Sequence, residues 1–311
     1  MEYILGVDGG ATKTAAAVAS AEGEILAEST AGASSHKSVG KDKAACNLNQ
    51  AVLGAIGDSG IEGIVFKSAV MGFAGLNVEK DSKIYRDIVF NDRLKRLLDR
   101  DKTFICNDTR IGLEAGSSAP NKVIIIAGTG SNCFGINEKG KQARCTGWDY
   151  ILADEGSGYE VSVRALRAVM RAYDGRGEKT MLTGAILDEL GIEDEEGIVN
   201  WTYGEPFSKK RLGGFAGIVC SSAEKGDPIS RGILEDEAAE SILSVSTVAN
   251  KLGLQDSSFD LVFVGGLFKC KTYFKDIVIK GLKEEFGGIS FKPLVAKPVQ
   301  GAVKLAIDNA G

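Results

Sequence analysis

Near its amino terminus the chain reads Ile4-Leu5-Gly6-Val7-Asp8-Gly9-Gly10-Ala11-Thr12-Lys13-Thr14, an apolar segment that leads straight into a glycine-rich turn. Consecutive glycines allow several backbone amides to point into one concavity, which suits phosphate oxygens. The spacing fits neither the Walker pattern nor the dinucleotide fingerprint, because a strand rather than a helix follows the turn. A plain glycine-rich hairpin with a surface lysine is the alternative. We predict a phosphate-binding turn made of Gly9, Gly10, Ala11, Thr12, Lys13 and Thr14.

The same pattern restarts at Lys122. An apolar strand over residues 123–127 leads into Gly128-Thr129-Gly130-Ser131, and a second strand and an acidic-glycine turn follow, as they do after the first turn. We interpret the two copies as an internal duplication. The second turn, with the residues Gly128, Thr129, Gly130 and Ser131, is therefore predicted to bind phosphate as well.

Length and periodicity indicate the fold class. The chain has 311 residues, which suits two domains rather than one ordinary core. Three predicted strands followed by alternating helix and strand indicate an α/β protein, with a mixed sheet and helices on its faces. Predicted strands cover 3–7, 14–19, 25–30, 67–71, 103–106, 123–127, 132–136, 261–264 and 291–295. Predicted helices cover 42–56, 82–98, 159–173, 181–190, 197–203, 210–223, 229–251, 273–286 and 299–309.

Composition excludes several classes of protein. Lys and Arg number 37 against 42 Asp and Glu, a net charge of −5, which argues against a nucleic-acid partner. Six scattered cysteines and one histidine provide neither a zinc site nor a conventional iron–sulfur motif, and we predict reduced thiols. Neither a signal peptide nor an apolar run of about 18–20 residues is present, so we expect a cytoplasmic protein without a membrane partner.

Asp108 is the candidate general base. The run Asn107-Asp108-Thr109 follows an apolar strand and precedes a helix. A carboxylate at the carboxyl end of such a strand points into the crevice where open α/β sheets bind ligands. There Asp108 could accept the proton of an attacking hydroxyl. The alternative is that Asp108 only caps the helix.

Three further segments are candidates for ligand binding. The run from Gly147 to Gly158 combines carboxylates, an aromatic ring and glycines, a set suited to a polyol, although an exposed acidic turn is the alternative. Gly265-Gly266, at the end of a strand, would let the backbone approach adenine, although such pairs are common. The polar loop around His36 is either a substrate loop or an ordinary solvated loop. Predicted substrate contacts are Ser35, His36, Asn107, Gly147, Trp148, Asp154 and Glu155, and predicted nucleotide contacts include Gly265 and Gly266.

Together these motifs resemble the N-acetylglucosamine kinase branch of the BadF/BadG/BcrA/BcrD-type ATPase family, within the actin-like sugar kinase superfamily. The resemblance covers essentially the whole chain, up to a final Gly301-Ala302. It implies two actin-like (ribonuclease H-like) domains of duplicated origin around a central cleft, and a homodimer. The first domain would comprise 1–116 plus 297–311, with a returning helix, and the second 117–296, with a helical insertion.

The resemblance also implies chemistry. ATP with Mg²⁺ would phosphorylate an amino sugar, with N-acetylglucosamine at O6 as the leading acceptor. Asp108 matches the catalytic base, Asp8 the acidic residue that holds magnesium, and Asp154 with Gly147 the sugar contacts. The chain departs from the pattern at four positions, where Ala11, Asp149 and Ala153 replace glycine and Ser35 replaces asparagine.

Alternative functions stay open at this point. The change at Ser35 leaves glucosamine, N-acetylmuramate or hexose kinases as alternatives, because one sugar-contacting amide is missing. An activator-type ATPase of the same family would carry a cysteine motif near the domain junction, which the sequence does not show. A nucleotide-dependent sensor would have the phosphate turns without phosphoryl transfer.

Overall fold

The structure is a computed structural model that describes residues 2–204 and 208–310. The chain divides into two compact units, which we call unit 1 and unit 2. Unit 1 comprises Met1–Ser118 and Leu294–Gly311, and unit 2 is the uninterrupted run Ala119–Pro293.

Unit 1 is built on a five-stranded mixed sheet. Its strands are β1 (Tyr3–Gly9), β2 (Lys13–Ser20), β3 (Ile25–Gly32), β4 (Phe66–Phe73) and β5 (Thr103–Asn107). The order across the sheet is β3-β2-β1-β4-β5, with β1 to β3 antiparallel and β4 and β5 parallel to β1. The central strands β1 and β4 are buried along most of their length, as their nearly continuous apolar sequence predicts.

Four helices of unit 1 follow these strands: α1 (His36–Val39), α2 (Lys41–Ser59), α3 (Glu79–Val89) and α4 (Asp108–Gly116). Helix α2 buries Leu48 and Val52, and its C-cap residue, Gly60, adopts the left-handed backbone conformation. The predicted helix over 82–98 is wrong in its second half, because α3 ends at Val89. There the Asn91 side chain accepts a hydrogen bond from the Arg93 amide (2.9 Å) and so competes with helical backbone bonding.

Unit 2 repeats the sheet topology of unit 1. Its strands are β6 (Lys122–Ala127), β7 (Ser131–Ile136), β8 (Gln142–Cys145), β9 (Phe259–Val264) and β10 (Ile289–Pro293). Three antiparallel strands are again followed by two parallel ones, in the order β10-β9-β6-β7-β8. The predicted α/β class and the duplicated architecture are confirmed. Strand β8 was not predicted.

The remaining residues of unit 2 are mainly helical. Its helices are α5 (Gly158–Tyr173), α6 (Leu182–Leu190), α7 (Glu195–Tyr203), α8 (Lys209–Leu212), α9 (Ala216–Glu224), α10 (Pro228–Leu252) and α11 (Asp276–Glu285). The predicted helix over 210–223 is divided by a 3-10 turn at Gly213–Phe215, because glycine is a poor helix former. The predicted helix over 273–286 begins with a π-helical turn, Lys271–Lys275. Across residues 2–204 and 208–310, every helix is too short or too polar to cross a membrane.

The last helix, α12 (Pro298–Asp308), belongs to unit 1. Its apolar residues Val299, Ala302 and Val303 share a buried cluster with Ile4 and Ile111. The approach to α4 is so close that a Cβ on Gly301 would lie 2.6 Å from the amide nitrogen of Ala115. Only glycine fits this position.

Cys220 and Cys270 form a disulfide, so the prediction of reduced thiols is wrong for these two residues. They lie 50 residues apart in sequence, but α9 and the segment after β9 pack together and bring their Cα atoms to 5.8 Å. That spacing lies within the range that a disulfide spans. The other four cysteines, Cys46, Cys106, Cys133 and Cys145, are free thiols.

Candidate functional site

The first glycine-rich turn joins β1 to β2. The Gly10 amide donates to the Lys13 carbonyl (2.9 Å) and closes the turn. Ala11, Thr12 and Lys13 are exposed and accessible to a ligand. Thr14 differs from its prediction, since it is fully buried and its hydroxyl donates to the Gly32 carbonyl (2.7 Å). Thr14 therefore supports the sheet and does not present its hydroxyl in the turn.

Two carboxylates at strand ends of unit 1 have raised pKa values. Asp8 lies at the end of β1, and Asp108 follows directly on β5. Burial raises the pKa of Asp8 to about 6, against the opposing effect of the Lys13 ammonium group. Burial raises the pKa of Asp108 to about 6 as well, and the negative charge of Asp8 adds to this rise. The pair thus forms a concentration of negative charge that is poorly solvated by water.

The residue that caps α4 is Asn107, which precedes Asp108 in the chain. Asn107 accepts a hydrogen bond from the Thr109 amide (3.0 Å) and caps α4, whereas Asp108 is the first helical residue. Asn107 and not Asp108 is therefore the N-cap residue, and the role of Asp108 as a base stays a prediction. The Asn107 amide group donates to the Leu76 carbonyl (3.1 Å) and to Asn77 Oδ1 (3.3 Å), so this side chain makes structural contacts.

The loop with Ser35 and His36 packs against the first turn. The amides of Ser34 and Ser35 donate to the Gly10 carbonyl at 3.2 and 3.3 Å. The Ser34 hydroxyl is buried and has no partner among the described residues, so it could donate to a ligand beside the turn. Ser35 itself is buried.

Two residues that sequence reasoning missed hold this loop. His36 Nε2 lies 3.2 Å from Asp81 Oδ1, and burial lowers the pKa of His36 against the opposing charge of Asp81. The Tyr85 hydroxyl accepts from the His36 amide (3.3 Å) and donates to the Ala74 carbonyl (2.8 Å). Asp81 sits in the first turn of α3, where an acidic residue signals a helix start. Nothing local in the sequence connects either residue to the loop.

The second glycine-rich turn joins β6 to β7. The Gly128 amide donates to the Gly130 carbonyl (3.0 Å), and the Gly128 carbonyl accepts from the Gly158 amide (2.7 Å) at the start of α5. Thr129 is exposed, whereas the buried Ser131 hydroxyl has no partner among the described residues. The second turn therefore also offers an unused buried hydroxyl.

A cavity of about 530 Å³ brings the second turn and the predicted adenosine contacts together. Its walls include Gly128, Thr129, Gly217, Glu224, Gly266 and the Cys220–Cys270 disulfide. Gly265 precedes this wall with a φ of 115°, and a Cβ there would lie 2.6 Å from the Gly128 amide nitrogen. Glycine is required at position 265 because both the positive φ and the lack of space exclude a side chain. The volume lies in the range of small-molecule sites.

Asp154 and Glu155, adjacent in sequence, have different environments. Asp154 is buried and accepts from the Ser131 amide (3.2 Å), whereas Glu155 is exposed. Burial raises the pKa of Asp154, and the ammonium group of Lys209 opposes the rise. Of the two, only Asp154 is fixed next to the second turn.

The aromatic and glycine residues of this segment occupy a strained bend. Gly147 and Asp149 both have positive φ, 70° and 77°. The exposed Trp148 ring lies under the Arg144 guanidinium group, whose Cζ is 3.8 Å from the ring centroid. One face of the predicted sugar-covering ring is thus already occupied by a cation.

A buried ion pair that the sequence did not reveal anchors this segment to α10. Glu237 accepts from the Gly156 amide (2.6 Å) and from Arg164 Nη1 (2.9 Å). Burial raises the pKa of Glu237, and Arg164 opposes that rise. Glu237 closes the acidic run 235–237 on a long helix, and such a run resembles a solvated surface, so the pattern provides no signal for this contact.

The sequence model of the BadF/BadG/BcrA/BcrD ATPase family matches residues 5–306, which include both turns, Asp108 and most of the final helix. The chain belongs to this family. It is 32% identical over 306 residues to the N-acetylmuramic acid/N-acetylglucosamine kinase of Clostridium acetobutylicum, covering 98% of each chain. It is 31% identical to the N-acetyl-D-glucosamine kinase of Dictyostelium discoideum, covering 99% of this chain and 98% of that protein.

The fold of this family member is shared with solved structures. A Chromobacterium violaceum protein assigned as an N-acetylglucosamine kinase superposes with a TM-score of 0.76 at 22% identity, covering 98% of this chain and 99% of that one. A sugar kinase of the ROK family, the Streptomyces griseus glucokinase in complex with glucose and AMPPNP, superposes with a TM-score of 0.53 at 18% identity, covering 97% and 98%.

Proposed function

We propose that this chain transfers the γ-phosphoryl group of ATP to an amino sugar, with N-acetylglucosamine as the first candidate acceptor. The full-length similarity to two amino-sugar kinases supports the reaction class. The observation that carries the proposal is the pair Asp8 and Asp108, two carboxylates at strand ends of unit 1 whose pKa values are both raised to about 6. Titratable groups with such shifts at strand ends are typical of active sites.

Asp108 is the general base in this proposal. A pKa of about 6 leaves it ionised at neutral pH, yet basic enough to accept a proton from a sugar hydroxyl as the new P–O bond forms. We place the acceptor at O6, a primary hydroxyl that is sterically the most accessible. In phosphoryl transfer, positioning and electrostatics supply most of the rate enhancement.

Asp8 is the residue that would hold magnesium. Carboxylate oxygens are the donors that a hard divalent cation prefers, and the buried carboxylates Asp8 and Asp108 both have a raised pKa for want of a compensating positive charge, so the residues fit the metal. When bound, magnesium supplies positive charge to the phosphates of the nucleotide. Asp8 would orient the ion and leave Asp108 free for the proton.

The two glycine-rich turns are the proposed phosphate contacts. In unit 1 the exposed residues Ala11, Thr12 and Lys13 offer amides, a hydroxyl and a cation. In unit 2 the turn at Gly128 lines the 530 Å³ cavity together with Gly266, which supports a nucleoside there. Gly9 and Gly10 close the first turn, and Gly130 and Ser131 complete the second.

Sugar binding is assigned to Asp154, helped by the backbone at Gly147 and by the loop at Ser35. A buried carboxylate is suited to accept hydrogen bonds from sugar hydroxyls, because it is held in place and water competes little with the sugar for its oxygens. Ser35 is a shorter side chain than the asparagine of the family pattern, so we expect modest discrimination among hexosamines. A homodimer stays a prediction.

The test is a coupled assay of ADP release with a panel of sugars: N-acetylglucosamine, glucosamine, N-acetylmuramic acid, N-acetylmannosamine and glucose. We expect ATP consumption that depends on an amino sugar, with a phosphosugar product detected by mass spectrometry. ATP hydrolysis that is independent of every sugar would instead favour an activator-type ATPase. Nucleotide binding without turnover would favour a sensor.

A further inference from the structure

The mechanism above leaves one cation beside the proposed sugar carboxylate without a role. Lys209 is the first residue of α8, and its side chain is 25% exposed. Its Nζ lies 3.0 Å from Asp149 Oδ1, and it also forms an ion pair with Asp154 Oδ2. Burial lowers the pKa of Lys209, but hydrogen bonds to Asp154 and Asp149 outweigh this effect and raise it, so the ammonium group stays charged.

The ammonium group lies directly against the second glycine-rich turn. A Cβ on Gly130 would lie 2.8 Å from Lys209 Nζ and 3.1 Å from Asp154 Oδ2. The place that a side chain would fill is therefore taken by this ion pair. Lys209 thus belongs to the surface of unit 2 that holds the phosphate turn and the sugar carboxylate.

The two carboxylate partners of Lys209 are unequal. The Asp154 side chain is 3% exposed, and the Asp149 side chain is 67% exposed. Breaking a buried pair leaves an uncompensated charge and is strongly unfavourable, whereas an exposed pair contributes little. Asp154 is therefore the permanent partner of Lys209, and Asp149 is the one that can be exchanged.

Asp149 is held in a conformation that favours glycine. Its φ is 77°, in the left-handed region, which costs a non-glycine residue on the order of 1 kcal/mol or more. The family pattern has glycine at this position. What aspartate adds is a carboxylate within reach of Lys209, at a position that an exogenous carboxylate could occupy instead.

We propose that Lys209 is a specificity-determining residue that binds a carboxylate carried by the sugar, so that the chain accepts acidic as well as neutral amino sugars. The substrate carboxylate replaces Asp149 at Lys209 Nζ, while Asp154 keeps its ion pair. Because one carboxylate replaces another, Lys209 stays paired, and the displaced Asp149 carboxylate, whose side chain is 67% exposed, is solvated by water. Neutral sugars leave the Asp149 contact intact. This inference rests on the proposed sugar-kinase function and on the assignment of Asp154 to the sugar.

The experiment compares kcat/KM for N-acetylmuramic acid and N-acetylglucosamine in the wild type, Lys209→Met, Lys209→Arg and Asp149→Asn. Lys210→Met is the matched control, since Lys210 is the exposed neighbour on the same helix. A charged hydrogen bond corresponds to roughly a 10- to 100-fold effect, so Lys209→Met should lower the acid-to-neutral ratio by that factor. Lys209→Arg should retain most of the ratio. Asp149→Asn should raise it by roughly two- to fivefold, because a competing carboxylate is removed.

The ratio separates specificity from a general defect. Lys209→Met also removes the partner of Asp154, and that loss affects both sugars alike. Thermal unfolding checks that each variant is folded. An unchanged ratio in Lys209→Met would overturn the proposal.

Calorimetry separates this proposal from the kinase function itself. If the wild type phosphorylates neither sugar, the proposed function fails, and the binding constants of the two sugars still test Lys209. Tighter binding of the acidic sugar that Lys209→Met abolishes would support the carboxylate site. Equal weakening of both sugars, or no binding of the acidic one, would refute it.

Discussion

Replacement of Asp108 by asparagine should abolish most of the turnover without harming the fold. Loss of a general base typically costs 10²- to 10⁴-fold in rate, which corresponds to about 3–5 kcal/mol of transition-state stabilisation. The cap of α4 is provided by Asn107, so the helix should be unaffected. Asp101→Asn, at an exposed aspartate of the same unit, is the matched control and should leave kcat/KM unchanged.

The raised pKa of Asp108 adds a pH signature to this prediction. The base works only when ionised, so kcat/KM of the wild type should fall as the pH drops through about 6. At pH 5, one unit below, only about a tenth of Asp108 is ionised, which predicts at least a roughly tenfold loss. The assay is coupled ADP release between pH 5 and 8, with saturating magnesium and sugar varied below KM.

The contribution of Asp108 to the stability of the fold should depend on pH in the opposite direction to kcat/KM, rising as the pH falls. A carboxylate whose folded-state pKa lies above its unfolded value destabilises the fold where it is ionised, above about pH 6, and this penalty disappears as the pH falls toward 4. Asp108→Asn should therefore unfold at or above the wild-type temperature at pH 7.5, and the difference should shrink on acidification. A variant with wild-type turnover, or an acid limb unrelated to pH 6, would refute the assignment of Asp108 as the base.

Three further predictions address other parts of the structure. Asp8→Ala should raise the magnesium concentration that the reaction requires. It should also move the acid limb of kcat/KM to lower pH, because a negative charge that raises the pKa of Asp108 is lost. Calorimetry that shows abolished sugar binding with intact ATP binding would contradict this prediction. Glu237→Ala should destabilise unit 2 by about 2–4 kcal/mol in urea unfolding and raise the sugar KM, whereas Asp236→Ala, at the exposed partner of the same arginine, should cost under about 1 kcal/mol. Cys270→Ser opens a 50-residue loop and should lower the free energy of unfolding by up to about 4 kcal/mol. A dithiol reductant should lower the wild-type Tm to that of the variant. Cys46→Ser is the control, and an unchanged Tm in Cys270→Ser would count against the bridge.

Much of the fold could be predicted because its signals are local. The strand, turn and strand at Gly9 recur at Gly128, and the structure has the corresponding five-stranded sheet in each unit. The wrong predictions concern element boundaries that are set by side-chain contacts or by residues distant in sequence. Helix α3 stops at Val89 because of the hydrogen bonds of Asn91, which hydrophobic spacing does not register.

The same distinction applies to the candidate site. Glycines and carboxylates after apolar strands mark their positions in the sequence, so Asp8, Asp108 and Asp154 could be singled out. The residues that hold them could not, because Lys209 and Glu237 each lie in a short run of like charges on a helix, and such runs look like solvated positions. Their importance follows only from the partners that the fold brings to them, Asp154 for one and the Gly156 amide for the other. The disulfide is a similar case, since it joins residues that only the packing of α9 brings close.

The discontinuity of unit 1 has a consequence for biosynthesis. The ribosome completes β1 to β5 early, yet the buried cluster around Ile4 lacks Val299, Ala302 and Val303 until α12 has been made. Unit 2, an uninterrupted run, is synthesised within that interval, which lasts roughly ten seconds or more at ordinary elongation rates. During that time the first unit is unfinished, and one face of its sheet lacks the helix that covers it. Transiently exposed apolar surface favours aggregation, so the late synthesis of α12 prolongs the period of risk for the first unit.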